Sequence, residues 1–312
     1  MDRVLLLRLF VPVLLLGLVL GCGSRSSEDD NEPIVPKRTS KGKTDGPKSA
    51  MVALKGSSYD GVIRGKVQWV GERPDLEALT KELLDSIKQD RDYCLKGKEY
   101  ETTQQAYRVG KNGGLGNVFV WIEPAEPNQY FEIPEEQLRA VANSEVTINQ
   151  PHCAFLPHAV NVFLFHIQDG KEQPTGQKLR VNNDALIPHN AKITGTRNPE
   201  SNDQIPSGGK IYRVLRPESE VITISCGVHP WMRGYIRSHA HPYAAVSRVG
   251  MNAEKAIYED ADAADFGTYE IRNIPVGVKV KFKAWHEALG LLKEVELITA
   301  KEQTIDIAAQ KR

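Results

Sequence analysis

Apolar and polar residues alternate with a period of two in many short segments of this chain. In residues 63–69, for example, Ile63, Val67 and Trp69 fall on one side, and charged or polar residues lie between them. Alternation of this kind predicts a half-buried β-strand. Short runs that are rich in β-branched and aromatic residues and bounded by turn residues predict further strands. These runs lie at 117–122, 159–167, 178–182, 210–215, 220–226, 233–237, 243–247, 268–272, 278–285 and 292–299.

Helical spacing of apolar residues is clear in one place only. Three leucines and Ile87 recur at intervals of three or four residues from Leu76 onward, among charged residues. That spacing predicts an amphipathic helix, and a weaker pattern predicts a second one over 135–142. The chain is therefore predicted to be all-β, with one short helical insertion.

The N-terminal segment has the organisation of an export signal. Arginines precede the run 9–20, which is almost wholly apolar and too short to span a bilayer comfortably. The run ends in Gly21-Cys22, which resembles a bacterial lipobox, in which the cysteine carries the lipid. The resemblance implies a signal peptide at 1–21, lipidation of Cys22, and an exported protein that is lipid-anchored to a membrane on the periplasmic or cell-surface side. An uncleaved membrane helix is the alternative.

Residues 22–58 lack apolar periodicity and are rich in lysine, aspartate, serine and proline. This composition is typical of a flexible tether that holds a folded part away from a surface. The folded part is therefore expected to begin at residue 59.

The charge balance restricts the partners that the chain can have. Of its 312 residues, 40 are lysine or arginine and 40 are aspartate or glutamate, so the formal net charge is zero. A neutral chain offers no broad basic surface, and no nucleic-acid partner is expected. Neither a nucleophile elbow nor an open zinc triad is found in the sequence, so the protein is not expected to be an enzyme.

The residues with the clearest chemistry lie between 226 and 232. Cys226, His229 and Met232 bring a thiolate, an imidazole and a thioether into seven consecutive residues, at the end of a predicted strand. A thiolate with two imidazoles and a weak thioether ligand suits copper. The second imidazole must come from another loop, and His189 in the sequence Pro-His-Asn supplies it. Zinc is the competing metal, but a thioether fits zinc poorly.

These two motifs resemble those of the cupredoxins of the plastocyanin/azurin family, and amicyanin and its relatives most closely. The final loop of that family has the form Cys-x-x-His-Pro-aromatic-Met-Arg-Gly, which matches residues 226–234. The resemblance covers 146–238 and implies a Greek-key cupredoxin sandwich with one type 1 (blue) copper. It places His189, Cys226 and His229 in the plane of the metal and Met232 on the axis.

The same resemblance implies a function. A cupredoxin carries single electrons between redox protein partners, one the donor and one the acceptor. Members of the family expose the edge of the last histidine in an apolar patch, so His229 is expected at the surface, with Pro230 and Trp231 docking the partner. A core position for Trp231 is the alternative. The alternative functions are copper binding or delivery without electron transfer, and a structural or carbohydrate-binding surface lipoprotein.

A second resemblance concerns the residues on both sides of this region. Residues 265–279 resemble the middle of carboxypeptidase-regulatory-like, transthyretin-type β sandwiches. We therefore predict one discontinuous sandwich, formed by 59–145 and 239–312, with the cupredoxin domain inserted. Two half-sized β modules in a row are the alternative, but each would lack a sufficient core.

The remaining cysteines and histidines leave alternatives open. Cys94 and Cys153 are a leftover pair in an oxidising compartment, which favours a disulfide. A second metal site formed by His152, Cys153 and His158 is the alternative. His239 and His241 lie on one face of a strand, where they could bind a metal or form a solvated edge. The segment 285–287 (Trp-His-Glu) either packs at a strand end or faces the copper module.

Overall fold

The computed structural model describes residues 50–250 and 260–311. The predicted signal peptide at 1–21, the lipidation site Cys22 and most of the predicted tether lie outside the described residues. Within the described ranges, no helix combines the length and the apolar character that a bilayer-spanning segment requires.

The described residues form twenty strands and four short helices. The strands are β1 (Val52–Leu54), β2 (Gly61–Trp69), β3 (Phe119–Pro124), β4 (Gln129–Phe131), β5 (Glu145–Asn149), β6 (Ala159–Val162), β7 (Phe165–Gln168), β8 (Lys171–Pro174), β9 (Lys178–Asn182), β10 (His189–Thr194), β11 (Ser201–Ile205), β12 (Lys210–Arg213), β13 (Ile222–Ser225), β14 (Arg233–Ser238), β15 (Ala244–Val246), β16 (Thr268–Ile274), β17 (Lys279–His286), β18 (Gly290–Ile298), β19 (Glu302–Thr304) and β20 (Ile307–Ala309). The helices are α1 (Leu76–Ser86), α2 (Arg91–Cys94), α3 (Glu99–Thr102) and α4 (Glu135–Val141). The predicted all-β fold class is confirmed.

One β sandwich is formed by strands β5, β6 and β9–β14. Its larger sheet has the order β11-β10-β13-β14-β6, and its smaller sheet has the order β12-β9-β5. Both sheets contribute to one apolar core, in which Val181 of the smaller sheet and Ile224 of the larger sheet are fully buried. Several neighbours in these sheets, such as β10 and β13 or β14 and β6, are not consecutive in sequence, as expected for a Greek-key arrangement. Strand β10 lies beside β13, so the chain segments next to these two strands are close in space.

A second sandwich is formed by strands from both sides of the first one in sequence. One sheet has the order β15-β3-β17-β18, and the other has the order β16-β2-β19 with β20 also paired to β2. Strand β3 pairs antiparallel with β17, so that Phe119 lies opposite Trp285. Val120 and Phe282 from one sheet and Ile63 from the other are fully buried in a common core. The residues of the first sandwich lie between these paired segments along the chain.

Several short strands, together with β5, β10 and β11, were not predicted, and three other local features also differ from the predictions. Strand β1 lies inside the range 22–58 that was predicted as tether and pairs in parallel with β4; three ordered residues are too few to give a periodic pattern. The predicted strand 159–167 is interrupted, because β7 leaves β6 to form a separate hairpin with β8. Helices α2 and α3 were not predicted, since each is a single turn of four residues.

The helical insertion between β2 and β3 is fastened to the first sandwich. Helix α1 begins as predicted, with the Oδ1 atom of Asp75 accepting a hydrogen bond from the amide of Ala78 at 2.9 Å. The predicted disulfide between Cys94 and Cys153 is present, with an S–S distance of 2.09 Å. The bond ties α2 to the segment that follows β5. It holds α2 beside the loops that carry the candidate ligands.

Candidate metal centre

The strand order brings two separated loops to one end of the larger sheet of the first sandwich. His189 is the first residue of β10, and Cys226 directly follows β13, which pairs antiparallel with β10. The turn from β13 to β14 is tight, because the amide of Cys226 donates to the carbonyl of Met232 at 3.2 Å. The amide of Met232 donates to the carbonyl of His229 at 2.9 Å. We call residues 226–232 the ligand loop.

Three predicted ligands form a compact cluster of donor atoms. The Nδ1 atoms of His189 and His229 are 2.9 Å apart, and the Sγ atom of Cys226 is 3.9 Å and 3.6 Å from them, respectively. Both imidazoles are fully buried, and Cys226 is 3% exposed. Met232, the fourth predicted ligand, is 1% exposed in the same loop. The structure therefore brings the two histidines and the cysteine together. Met232 is buried in the same loop as Cys226 and His229.

The Nε2 atoms of the two imidazoles point away from the cluster, and their hydrogen bonds orient the Nδ1 atoms toward it. The Nε2 atom of His189 lies 2.6 Å from the carbonyl oxygen of His152, and the Nε2 atom of His229 lies 2.9 Å from Oδ2 of Asp90. Both partners are acceptors, so each neutral imidazole carries its hydrogen on Nε2. The two Nδ1 lone pairs then point toward each other and toward the sulfur. Metal-bound histidines are usually oriented by such outer hydrogen bonds.

The two sulfur–nitrogen distances agree with one ion bound by three donors. For metal–nitrogen bonds of about 2.0 Å and a metal–sulfur bond of about 2.3 Å, a trigonal arrangement separates nitrogen from sulfur by about 3.7 Å. The observed separations of 3.6 Å and 3.9 Å bracket this value. The nitrogens are closer to each other than the same arrangement requires. One thiolate with two imidazoles is a donor set that fits a copper ion.

The protonation state of Cys226 also suits a ligand. Burial raises the pKa of this thiol, but hydrogen bonds from His189 and His229, formed when these imidazoles carry a proton on Nδ1, and from the amide of Asn190 outweigh burial and lower the pKa to about 5. The amide of Asn190 lies 3.2 Å from the sulfur. Cys226 is therefore a thiolate at neutral pH, which is the form that binds a metal.

The predicted exposure of His229 is wrong. Its side chain is fully buried because Asp90, from the helical insertion, covers Nε2. Of the two residues predicted to dock a partner, Pro230 is exposed and Trp231 is half-buried. The Trp231 ring lies 5.2 Å from the ring of His229 and packs against the core.

Trp231 and Met232 also line a cleft of about 340 Å³. Leu79 and Leu83 of α1 line the same cleft, as do His158 and Glu287. The cleft gives the ligand loop a partly apolar face toward the helical insertion.

Two groups that accept hydrogen bonds from the imidazoles of the cluster were not predicted from the sequence. Asp90 lies in a polar segment that matches no motif, so no signal in the sequence marks it. The contribution of His152 is a backbone carbonyl, which residue type does not reveal.

The alternative second metal site is not formed by the three residues proposed for it. Cys153 is in the disulfide, while the Nδ1 atom of His152 lies 2.9 Å from Oε2 of Glu101. The Nε2 atom of His158 lies 2.5 Å from Oε1 of Glu287. This last contact joins the two sandwiches, so the segment 285–287 does face the module that carries the cluster.

His239 and His241 are neither a strand face nor a solvated edge. They follow β14, and both are buried. The rings are 5.2 Å apart, and the ring of Phe131 packs edge-on against His241 at 5.0 Å. The Nε2 atom of His239 lies 3.1 Å from Oδ1 of Asn161. These imidazoles are part of the packing between loops, which the sequence pattern did not indicate.

No family model matches the chain. No curated protein matches it either. Among solved structures, the chain is similar to a copper-containing nitrite reductase from Thermus scotoductus, with 16% identity, a TM-score of 0.24, and coverage of 30% of this chain and 22% of that one. It is similar to a purple cupredoxin from Nitrosopumilus maritimus, with 16% identity, a TM-score of 0.23, and coverage of 30% and 98%. A reduced amicyanin variant gives 13% identity, a TM-score of 0.25, and coverage of 38% and 99%.

Proposed function

We propose that this protein is an exported, membrane-tethered type 1 copper protein that carries single electrons between redox protein partners. The observation that carries the proposal is the buried cluster of His189, Cys226 and His229, in which one cysteine sulfur and two imidazole nitrogens face one another. Such a cluster has the donor set of a copper site and leaves the three lone pairs unused without a cation.

Each ligand residue has a defined part in this proposal. His189, Cys226 and His229 would hold the metal, and Met232 would be a weaker fourth ligand. The bound copper ion would supply the one-electron redox step. The protein keeps the donors fixed, because both imidazoles are buried and anchored at Nε2. Fixed donors reduce the rearrangement that accompanies a change of charge.

The burial of the ligands favours electron transfer over copper delivery. His189 and His229 are fully buried, and Cys226 and Met232 are exposed by only 3% and 1%. Delivery requires the ion to leave its ligands for those of a partner, whereas an electron can pass through a closed site. We therefore place copper delivery second.

The partner is proposed to dock beside the ligand loop rather than on His229. Pro230 is exposed, and Trp231 contacts His229 on one side and the cleft on the other. A half-buried tryptophan is a common anchor of protein interfaces. Trp231 therefore offers a covered route from the buried imidazole to a docked redox protein.

The cellular setting completes the proposal and depends on the N-terminal pattern. The lipobox-like ending at Cys22 supports a lipid anchor. The Cys94–Cys153 bond supports an oxidising compartment outside the cytoplasm. Neither an enzymatic activity nor a nucleic-acid partner is part of the proposal.

Voltammetry of the copper-loaded full chain in detergent separates the two copper functions. We expect a reversible one-electron wave, which the Cys226→Ser variant loses. Copper binding at one ion per chain without a reversible wave would contradict electron transfer and favour delivery.

A further inference from the structure

One acidic side chain from outside the first sandwich reaches the candidate metal centre. Asp90 lies in the helical insertion, 139 residues before His229, and its Oδ2 atom is 2.9 Å from Nε2 of that imidazole. His229 has no exposed surface, and the side chain of Asp90 is 35% exposed. Asp90 therefore lies between the imidazole and the solvent.

Resting on the proposed copper function, we propose that Asp90 is a positioning residue that fixes His229 and lowers the reduction potential of the centre. The residue acts through the imidazole and does not contact the metal position. Its part is distinct from that of the four ligands, because it belongs to the other module.

The backbone around Asp90 is held in place by several bonds. Its carbonyl accepts hydrogen bonds from the amides of Tyr93 at 3.0 Å and of Cys94 at 2.9 Å. Asp90 has φ +49° and ψ +33°, a left-handed conformation that aspartate adopts more readily than most residues. The position of the carboxylate is therefore set before a metal binds.

The disulfide connects the two anchors of the centre. Cys94 lies four residues after Asp90, and Cys153 directly follows His152, whose carbonyl accepts from His189. The bond between these cysteines thus links the segment that holds one imidazole to the segment that holds the other. Both outer hydrogen bonds are thus made by residues close in sequence to the same cross-link, which agrees with a role in fixing ligand geometry.

The charge of Asp90 gives the expected direction of the effect. A carboxylate that accepts from Nε2 makes the imidazole a stronger donor through Nδ1, and loss of such a partner typically lowers metal affinity about 10- to 100-fold. A negative charge near the metal also favours the more highly charged copper(II) over copper(I). If copper(II) binding weakens about tenfold while copper(I) binding is unchanged, the potential of the one-electron couple rises by about 59 mV.

The test compares Asp90→Asn with Asp92→Asn, two variants that remove the same charge from neighbouring positions. Asp92 is exposed on α2. In Asp90→Asn we expect the reduction potential to rise by about the amount that a tenfold weakening of copper(II) binding produces. In Asp92→Asn the potential should stay at the wild-type value. In Asp90→Glu, which keeps the carboxylate, it should lie closer to the wild-type value than in Asp90→Asn. Equal potentials in Asp90→Asn and Asp92→Asn, with copper bound in both, would overturn the proposal.

A measurement on the metal-free protein separates this inference from the proposed function. In nitrogen-15 spectra, the Nε2 hydrogen of His229 should exchange slowly in the wild-type protein and rapidly in Asp90→Ala. Rapid exchange in the wild type would refute the positioning role even if copper binds. Absence of thiolate-to-copper absorption in the wild type would refute the copper function, while the exchange result would still decide whether Asp90 holds His229.

Discussion

The Nδ1 atoms of His189 and His229 lie 2.9 Å apart, although 40 residues separate them in the chain. Their Nε2 atoms donate in opposite directions, to the carbonyl of His152 and to Asp90. Two buried lone pairs at this distance repel each other unless a proton or a cation lies between them. With the Cys226 sulfur as the third donor, the arrangement suits a metal cation.

The axial role of Met232 predicts a change of potential without a loss of colour. In Met232→Leu, the three stronger donors remain, so the thiolate-to-copper absorption should persist while the reduction potential rises. Met51→Leu, at an exposed position, should change neither. Loss of the absorption in Met232→Leu would show that the thioether is not a weak axial ligand.

The disulfide predicts a measurable contribution to stability. The two cysteines are 59 residues apart, and chain-entropy reasoning for a loop of this length gives about 4 kcal/mol. The Cys94→Ser, Cys153→Ser double variant should therefore unfold at lower urea concentration, within the range of about 2–5 kcal/mol seen for native disulfides. In the wild type, thiol labelling of these two cysteines should require a reductant. Labelling of both without a reductant would contradict the bond.

The buried histidines predict a loss of stability in acid. Burial lowers the pKa of His241 to about 3, and burial lowers that of His286 to about 4. Above pH 6.5 the imidazoles are neutral in both folded and unfolded chains, so they contribute no pH dependence. As the pH falls from 6.5 toward these values, only the unfolded chain takes up protons, and the free energy of unfolding decreases.

His241→Phe isolates one of these contributions. Between pH 7 and pH 5, the wild type should lose about 2 kcal/mol more than the variant, which cannot take up the proton. Phenylalanine keeps an aromatic ring against Phe131, and any constant change in stability cancels in the comparison of the two pH values. Equal losses in both proteins, measured by urea unfolding, would contradict a neutral buried His241.

The docking proposal predicts that Trp231→Ala slows electron exchange with proteins only. The variant should keep the copper absorption and the wild-type rate of oxidation by ferricyanide. Its free energy of binding to a redox protein such as a cytochrome c should become less favourable by about 2 kcal/mol. Val228→Ala, a truncation at a neighbouring exposed residue, serves as the control. Unfolding or loss of copper in Trp231→Ala would instead identify a core residue.

The candidate ligands could be identified from the sequence because most of them lie in one short motif. Cys226, His229 and Met232 are close along the chain, and His189 belongs to a second recognisable element. The strand pattern also predicted nearly every long strand, since alternation is strongest where one face is buried.

Features that depend on distant contacts could not be predicted. Asp90 reaches His229 only because a disulfide and a one-turn helix hold the insertion over the ligand loop. The same contact buries His229, which the family resemblance placed at the surface. The sequence left a metal site and a solvated edge open for His239 and His241, because nothing near them in sequence shows that His241 packs against Phe131.

The visible spectrum of the full chain loaded with copper(II) tests the central claim most directly. If Cys226 binds the ion as a thiolate together with His189 and His229, the protein will show intense thiolate-to-copper absorption and a blue or green colour. The Cys226→Ser variant will lack that absorption. A colourless wild-type protein that nevertheless binds one copper(II) ion, with all four ligand residues intact, would contradict the account.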